Sequence, residues 1–211
     1  MVHVSALFAV LGGLLPFSGL QLVSGSPVND LKPAALSKRF GGVPDDVTVV
    51  PIQWRGSLEE GGPLINLQGD SFEDIEKQAK ALNPKCTIFT EPANNTDLVT
   101  RQTEDKDIHC DWPPGWGNAQ YNHIMDGIAY LRGISGDCRA PPGPGNCGRV
   151  SCSWGAAIYY CNDNPHEHWV RCAKIGDVAR AIATKCYGWA YFRGQGFDKG
   201  NWNTIIAAGD C

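Results

Sequence analysis

Eight of the nine cysteines in this chain fall within its C-terminal half, at Cys110, Cys138, Cys147, Cys152, Cys161, Cys172, Cys186 and Cys211. That crowding constrains the fold more than any other feature. A short segment so rich in cysteine either ligates metal or closes disulfides that replace part of a hydrophobic core. Structural zinc sites use closely spaced pairs, whereas no Cys-x-x-Cys occurs here and the intervals are irregular. Four disulfides are therefore expected, with Cys86 unpaired or paired between chains. Eight half-cystines allow roughly a hundred pairings, so spacing leaves the connectivity open.

Disulfides persist in oxidising compartments, and the N-terminus agrees. Met1 to Ser26 carries no Lys, Arg, Asp or Glu, and an apolar run from Val4 to Val23 ends in the small residues Ser24, Gly25 and Ser26. Residues 1–25 read as a cleavable signal peptide. No later segment is long and apolar enough to anchor the chain in a bilayer, so the expected product is extracellular, with no stable membrane anchor. Lys38-Arg39 then forms a dibasic site in a polar, Pro-containing stretch, and residues 26–39 read as a propeptide removed after Arg39. Cleavage there takes three basic residues and one acidic one from the 18 and 22 of the whole chain, leaving a net charge near −6.

The remaining charge is uneven. Residues 40–105 hold five basic and twelve acidic side chains, and residues 106–211 hold ten and nine. The composition shifts within a polar run, 94–107, that contains the sequon Asn94-Asn95-Thr96, a glycosylation site that requires an exposed loop. The expected organisation is an acidic N-terminal β-α-β module, 40–105, followed by a cysteine-rich α+β domain, 106–211. In the first, Val47 to Trp54 reads as a strand weakened by Pro51. Ser71 reads as an N-cap, Phe72, Ile75, Ala79 and Leu82 recur at helical spacing, Asn83-Pro84 stops the helix, and Cys86 to Thr90 reads as a strand. In the second, helices are expected over 122–132 and 175–186, strands over 149–154 and 156–162 hinged at Gly155, and two closing strands at 191–195 and 202–208. The fold class is α+β: a disulfide-stapled antiparallel sheet with two helices packed on one face.

No constellation has the spacing of a catalytic centre. The serines of Gly148 to Gly155 miss the Gly-x-Ser-x-Gly elbow, and Asp111, Asp126, Asp163 and Asp177 are scattered. Asp163, between two asparagines, reads as a turn former. His166-Glu167-His168 supplies two imidazoles but no third ligand at a metal spacing, so a solvated loop is the expectation. A near-neutral cysteine-rich domain offers no nucleic-acid footprint. These readings point to a protein that is not an enzyme, uses no cofactor or metal, and works by binding. The binding candidates are Trp112 and Trp116, in the loop Asp111-Trp112-Pro113-Pro114-Gly115-Trp116-Gly117, where no apolar periodicity explains two tryptophans.

The strings Pro144 to Ser153, Ala157 to Asn164, Gly194-Gln195 and Asn201-Trp202-Asn203 resemble a family of fungal cysteine-rich secreted proteins, many regarded as candidate effectors. A weaker likeness, in the order of an Ile108-His109-Cys110 start, helix, cysteine-rich strands, helix and closing strand to Cys211, runs to the smut-fungus viral killer toxins. Those toxins are α/β sandwiches associated with inhibition of calcium channels. The resemblance implies an effector or toxin-like protein that binds an extracellular protein or glycan of a host or competitor, perturbing plant immunity or cell death. A killer-type toxin acting on rival membranes or channels, and a secreted hydrolase or hydrolase inhibitor, are the alternatives. Activity is expected in residues 106–211, with the first module assisting folding or secretion.

Overall fold

The computed structural model describes residues 47–86, 88–89, 107–188 and 190–211. The signal peptide, the propeptide with Lys38 and Arg39, the sequon at Asn94 and Trp189 lie outside the described residues. In chain order the elements are β1 (Thr48–Val50), β2 (Ile52–Ser57), β3 (Leu64–Gly69), α1 (Phe72–Leu82), β4 (Asp107–Cys110), β5 (Ala119–Gln120) and α2 (Tyr121–Gly133). There follow β6 (Asp137–Ala140), β7 (Asn146–Ser153), β8 (Ala156–Asn162), β9 (His168–Arg171), α3 (Cys172–Cys186), β10 (Tyr191–Phe192), β11 (Gly194–Asp198) and β12 (Trp202–Ala208). The protein is mixed α+β.

A six-stranded sheet, β1-β7-β8-β12-β11-β4, forms the centre; β1 runs parallel to β7 and every other pair is antiparallel. The β7–β8 hairpin turns through Trp154 and Gly155, both at positive φ (51° and 74°). That is the twist a two-residue hairpin loop needs. Helices α2 and α3 pack on each other and on one face of this sheet. α3 approaches closely because β11 presents only Gly194 and Gly196 beneath it: a Cβ at Gly196 would sit 3.0 Å from Ile182 and 3.1 Å from Val178.

The first segment is not a separate β-α-β module. Pro51 has no N–H with which to continue a ladder, and there the chain passes from the edge of the six-stranded sheet into the four-stranded sheet β3-β2-β6-β9. β2 pairs with β6, so residues of both expected modules share a sheet. They also share one core, in which Trp54, Phe72 and Ile75 join Ile128, Leu131 and Ile182. Among the described residues, three strands precede the helix rather than one. Of the expected strand at 86–90, the described residues 86, 88 and 89 contribute a single bridge, Phe89 to Ile134. The predicted cap is present, with Ser71 Oγ accepting the Asp74 N–H at 3.3 Å.

The four disulfides join Cys110–Cys186, Cys138–Cys172, Cys147–Cys161 and Cys152–Cys211. They tie β4 to the end of α3, β6 to its start, β7 to β8, and β7 to the last residue. Cys86 keeps a free, buried thiol.

Candidate functional site

The face of the central sheet opposite the helices carries its own apolar cluster, with Val49, Cys147, Ala157, Tyr159, Cys161, Ile205 and Ala207. β8 is therefore buried along its whole length, both faces being covered. The cover on this side is the segment 111–118. Asp111 and Gly115 turn it at positive φ (57° and 85°). Its ends are tied down: the Asp111 N–H donates to Arg193 O at 3.1 Å, Arg193 Nη1 donates to Trp116 O at 3.1 Å, and the Ala208 N–H donates to Gly117 O at 2.9 Å.

The loop separates its two tryptophans. Trp116 is 3% exposed and belongs to the cluster. The expectation that both are exposed binding residues is therefore corrected for Trp116: the apolar face of β8 and β12 needs a cover, and its indole supplies it. Trp112 is 48% exposed. It stands with Pro113 and Pro114 along a groove of about 410 Å³ whose other lining includes Asp163, Gln195, Phe197 and Asn203.

The floor of that groove is polar and ordered. Asn203 pairs across the sheet with Phe197 on β11 and Cys161 on β8, so these side chains share the groove face. Gln195 lies between the two glycines that face α3 and so points to the groove. Gln195 Nε2 donates to Asn203 Oδ1 at 2.9 Å, and Asn203 Nδ2 donates to Asp163 Oδ2 at 2.7 Å. Gln195 is 7% and Asn203 3% exposed. Each amide still has a second N–H, and Gln195 Oε1 and Asp163 Oδ1 still have acceptor capacity. Burial of Tyr159, which lies beside this floor, pushes its phenol up to about 12.

A larger cleft of about 670 Å³ opens between the start of α1, α2 and the β7–β8 hairpin, lined in part by Asp70, Glu73, Asp126, Tyr130, Ser151 and Trp154. Its carboxylates are exposed. Burial first, then Glu73 and Glu76, raise the ionisation of the Tyr130 phenol well above its ordinary range. Trp154 stands out into solvent at the hairpin tip, stacked on His123 with ring centroids 6.2 Å apart.

The His166–His168 stretch is not all loop. His168 opens β9, where its Nδ1 meets the Tyr160 hydroxyl at 2.6 Å and its ring stacks on Trp202. Glu167 pairs with Arg139 at 2.5 Å and accepts the Trp169 Nε1–H at 3.1 Å. Among the described residues, no three His, Cys, Asp or Glu side chains gather as a metal site would need. Nor is any helix of these residues long and apolar enough to cross a membrane.

Comparison with protein-family models, with curated proteins and with solved structures finds no match. The groove floor was missed in the sequence, where Asp163 reads as a turn former. The side chain that serves that turn is Asn162, whose Oδ1 accepts the Asn164 N–H at 2.9 Å. The one signal was polar Gln195 and Asn203 set within strands that otherwise hold mostly glycine and apolar residues.

Proposed function

We propose that the protein is a secreted, effector- or toxin-like protein that acts without chemistry of its own, by seating an extracellular target of a host or competitor in the Trp112 groove. One observation carries the reading: a half-exposed indole, in a cover segment tied to the sheet at both ends, lines the same groove as two buried, mutually bonded amides. Buried polar side chains cost stability unless they are bonded. Such a row beside an exposed aromatic has the composition of a recognition site. The four disulfides favour an oxidising compartment, and the resemblance of the motif strings to fungal cysteine-rich secreted proteins favours the effector reading.

The layer order supports a second reading, a killer-type toxin against rival microbes, because α2 and α3 on one face of a mainly antiparallel sheet agree with that family's sandwich. One experiment addresses both. Oxidised protein and its Trp112→Ala variant are applied to leaves and to fungal and bacterial cultures, with cell death, defence output and growth scored. Loss of the effect in the folded variant supports groove binding; a leaf effect favours the effector and a growth effect the toxin. An undiminished effect in both assays overturns the groove.

A further inference from the structure

The groove's chemistry narrows its ligand. Among the described residues, Asp163 is the one charged residue lining it, and no Lys or Arg does. A phosphate, a sulfate or a nucleic acid backbone would meet a carboxylate with no compensating cation and be repelled. A wholly apolar ligand is disfavoured for the opposite reason. It would strip water from the remaining N–H groups of Gln195 and Asn203 and from Asp163, and return no hydrogen bond. The ligand that fits has one apolar face, no net charge, and neighbouring groups that both donate and accept.

A pyranose sugar has that description. The aliphatic C–H face of the ring lies flat against an aromatic, and Trp112 and Phe197 both line the groove. Its vicinal hydroxyls each donate one proton and accept another. The floor offers the matching alternation: Gln195 Oε1 accepts, the second N–H groups of Gln195 and Asn203 donate, and Asp163 Oδ1 accepts. Both amides are fixed in orientation by the bonds they make to each other and to Asp163, so little side-chain freedom is lost on binding. At about 410 Å³ the groove has room for a short sugar segment, within the range of about 300–1,000 Å³ common for small-ligand sites.

We infer that the Trp112 groove is a binding site for a neutral glycan, with Trp112 as the stacking residue and Gln195, Asn203 and Asp163 as the hydroxyl-reading floor. This rests on the reading of the groove as the functional site. The test titrates cellohexaose, chitohexaose, xylohexaose and linear mannohexaose into the oxidised protein. Calorimetry and the indole N–H resonances provide the readouts, and a sulfated dextran serves as the charged control. At least one neutral sugar is expected to bind and to shift the Trp112 resonance without moving that of Trp154, which lines the larger cleft. Trp112→Ala and Asp163→Asn should each weaken it by more than about tenfold, as loss of a central binding residue does. The sulfated dextran should not bind. Absence of binding across all four sugars overturns the glycan assignment, as does binding that Trp112→Ala leaves unchanged. The groove reading itself survives the first result if Trp112→Ala still abolishes the leaf or culture effect. Binding of target cell walls that protease destroys and periodate spares identifies a protein ligand, and also overturns the glycan.

Discussion

The ring of Trp116 meets that of Tyr159 edge-on, with centroids 4.9 Å apart at an interplanar angle of 77°, across the face of the central sheet that no helix of the described residues covers. Aromatic pairs in this arrangement add to the area they bury. Trp116→Ala would leave a cavity over Ile205 and Ala207, and is expected to cost about 3–5 kcal/mol of stability. Trp112→Ala, four residues away and half exposed, should change stability by no more than about 1 kcal/mol. Urea unfolding of the two variants checks this. Equal losses would mean that the two tryptophans do not divide into cover and binding residue.

The disulfides differ in access, and mild reduction should follow it. Cys138 and Cys172 are fully buried, and Cys147 and Cys161 nearly so. Cys110 and Cys211 are exposed. Cys110–Cys186 and Cys152–Cys211 are therefore expected to open first, as read by timed alkylation and peptide mapping. Replacing both members of Cys138–Cys172 by alanine should cost roughly 2–5 kcal/mol. Prior opening of Cys138–Cys172 would contradict the order.

Deleting everything before Asp107 should leave a chain that does not fold, contrary to the separation drawn from charge and cysteine content. β1 and β2 hydrogen-bond to β7 and β6, and Trp54, with no exposed surface, donates its Nε1–H to Ser135 O at 2.7 Å. Their removal bares two strand edges and opens the shared core. The circular dichroism and thermal melt of residues 107–211 provide the measurement. A cooperative melt matching that of the full chain would restore the two-module view.

Local signals proved legible where local chemistry decides the outcome. The Ser71 cap, the stop at Asn83-Pro84 and the turn at Gly155 each depend on a few adjacent residues. β3, with its exposed-to-intermediate alternation, and β6, four residues long, carry too little apolar pattern to register alone. They are strands because β2 lies between them. The site was harder for the same reason. Trp112 and Trp116 share one loop, and their different burial is set by Tyr159, distant in sequence. Gln195, Asn203 and Asp163 meet only because β12 lies between β8 and β11.

Acid should loosen the region around His168. Burial, then Lys174, hold its imidazole below the usual histidine range; His166 acts in the same direction and Asp198 opposes them. Tyr160 faces it from β8. With the folded value depressed, the unfolded chain binds more protons than the folded one between that value and about 6.5. Stability is thus expected to be full above that pH, to fall as pH drops through the window, and to level off below it. Melting temperatures from pH 8 to 5, above the carboxylate range, test this, and His168→Gln should flatten the profile. A rise in stability on acidification would refute it.

Trp154 occupies a backbone position that its side chain does not favour. Its φ of 51° lies in the left-handed region, which costs a side-chain-bearing residue about 1–2 kcal/mol and which asparagine and glycine tolerate. Little contact offsets that cost, since the indole is 83% exposed and stacks only on His123 among the described rings. Trp154→Asn is therefore expected to raise stability by about 1 kcal/mol by relieving the turn, as read by urea unfolding. It should leave sugar binding unchanged, because Trp154 lines the larger cleft and not the Trp112 groove. A less stable variant would mean that the stack with His123 outweighs the backbone cost. A variant that is more stable but inert on leaves and cultures would move the active surface from the groove to the hairpin tip, where a strained residue would then be retained for what it touches rather than for the fold.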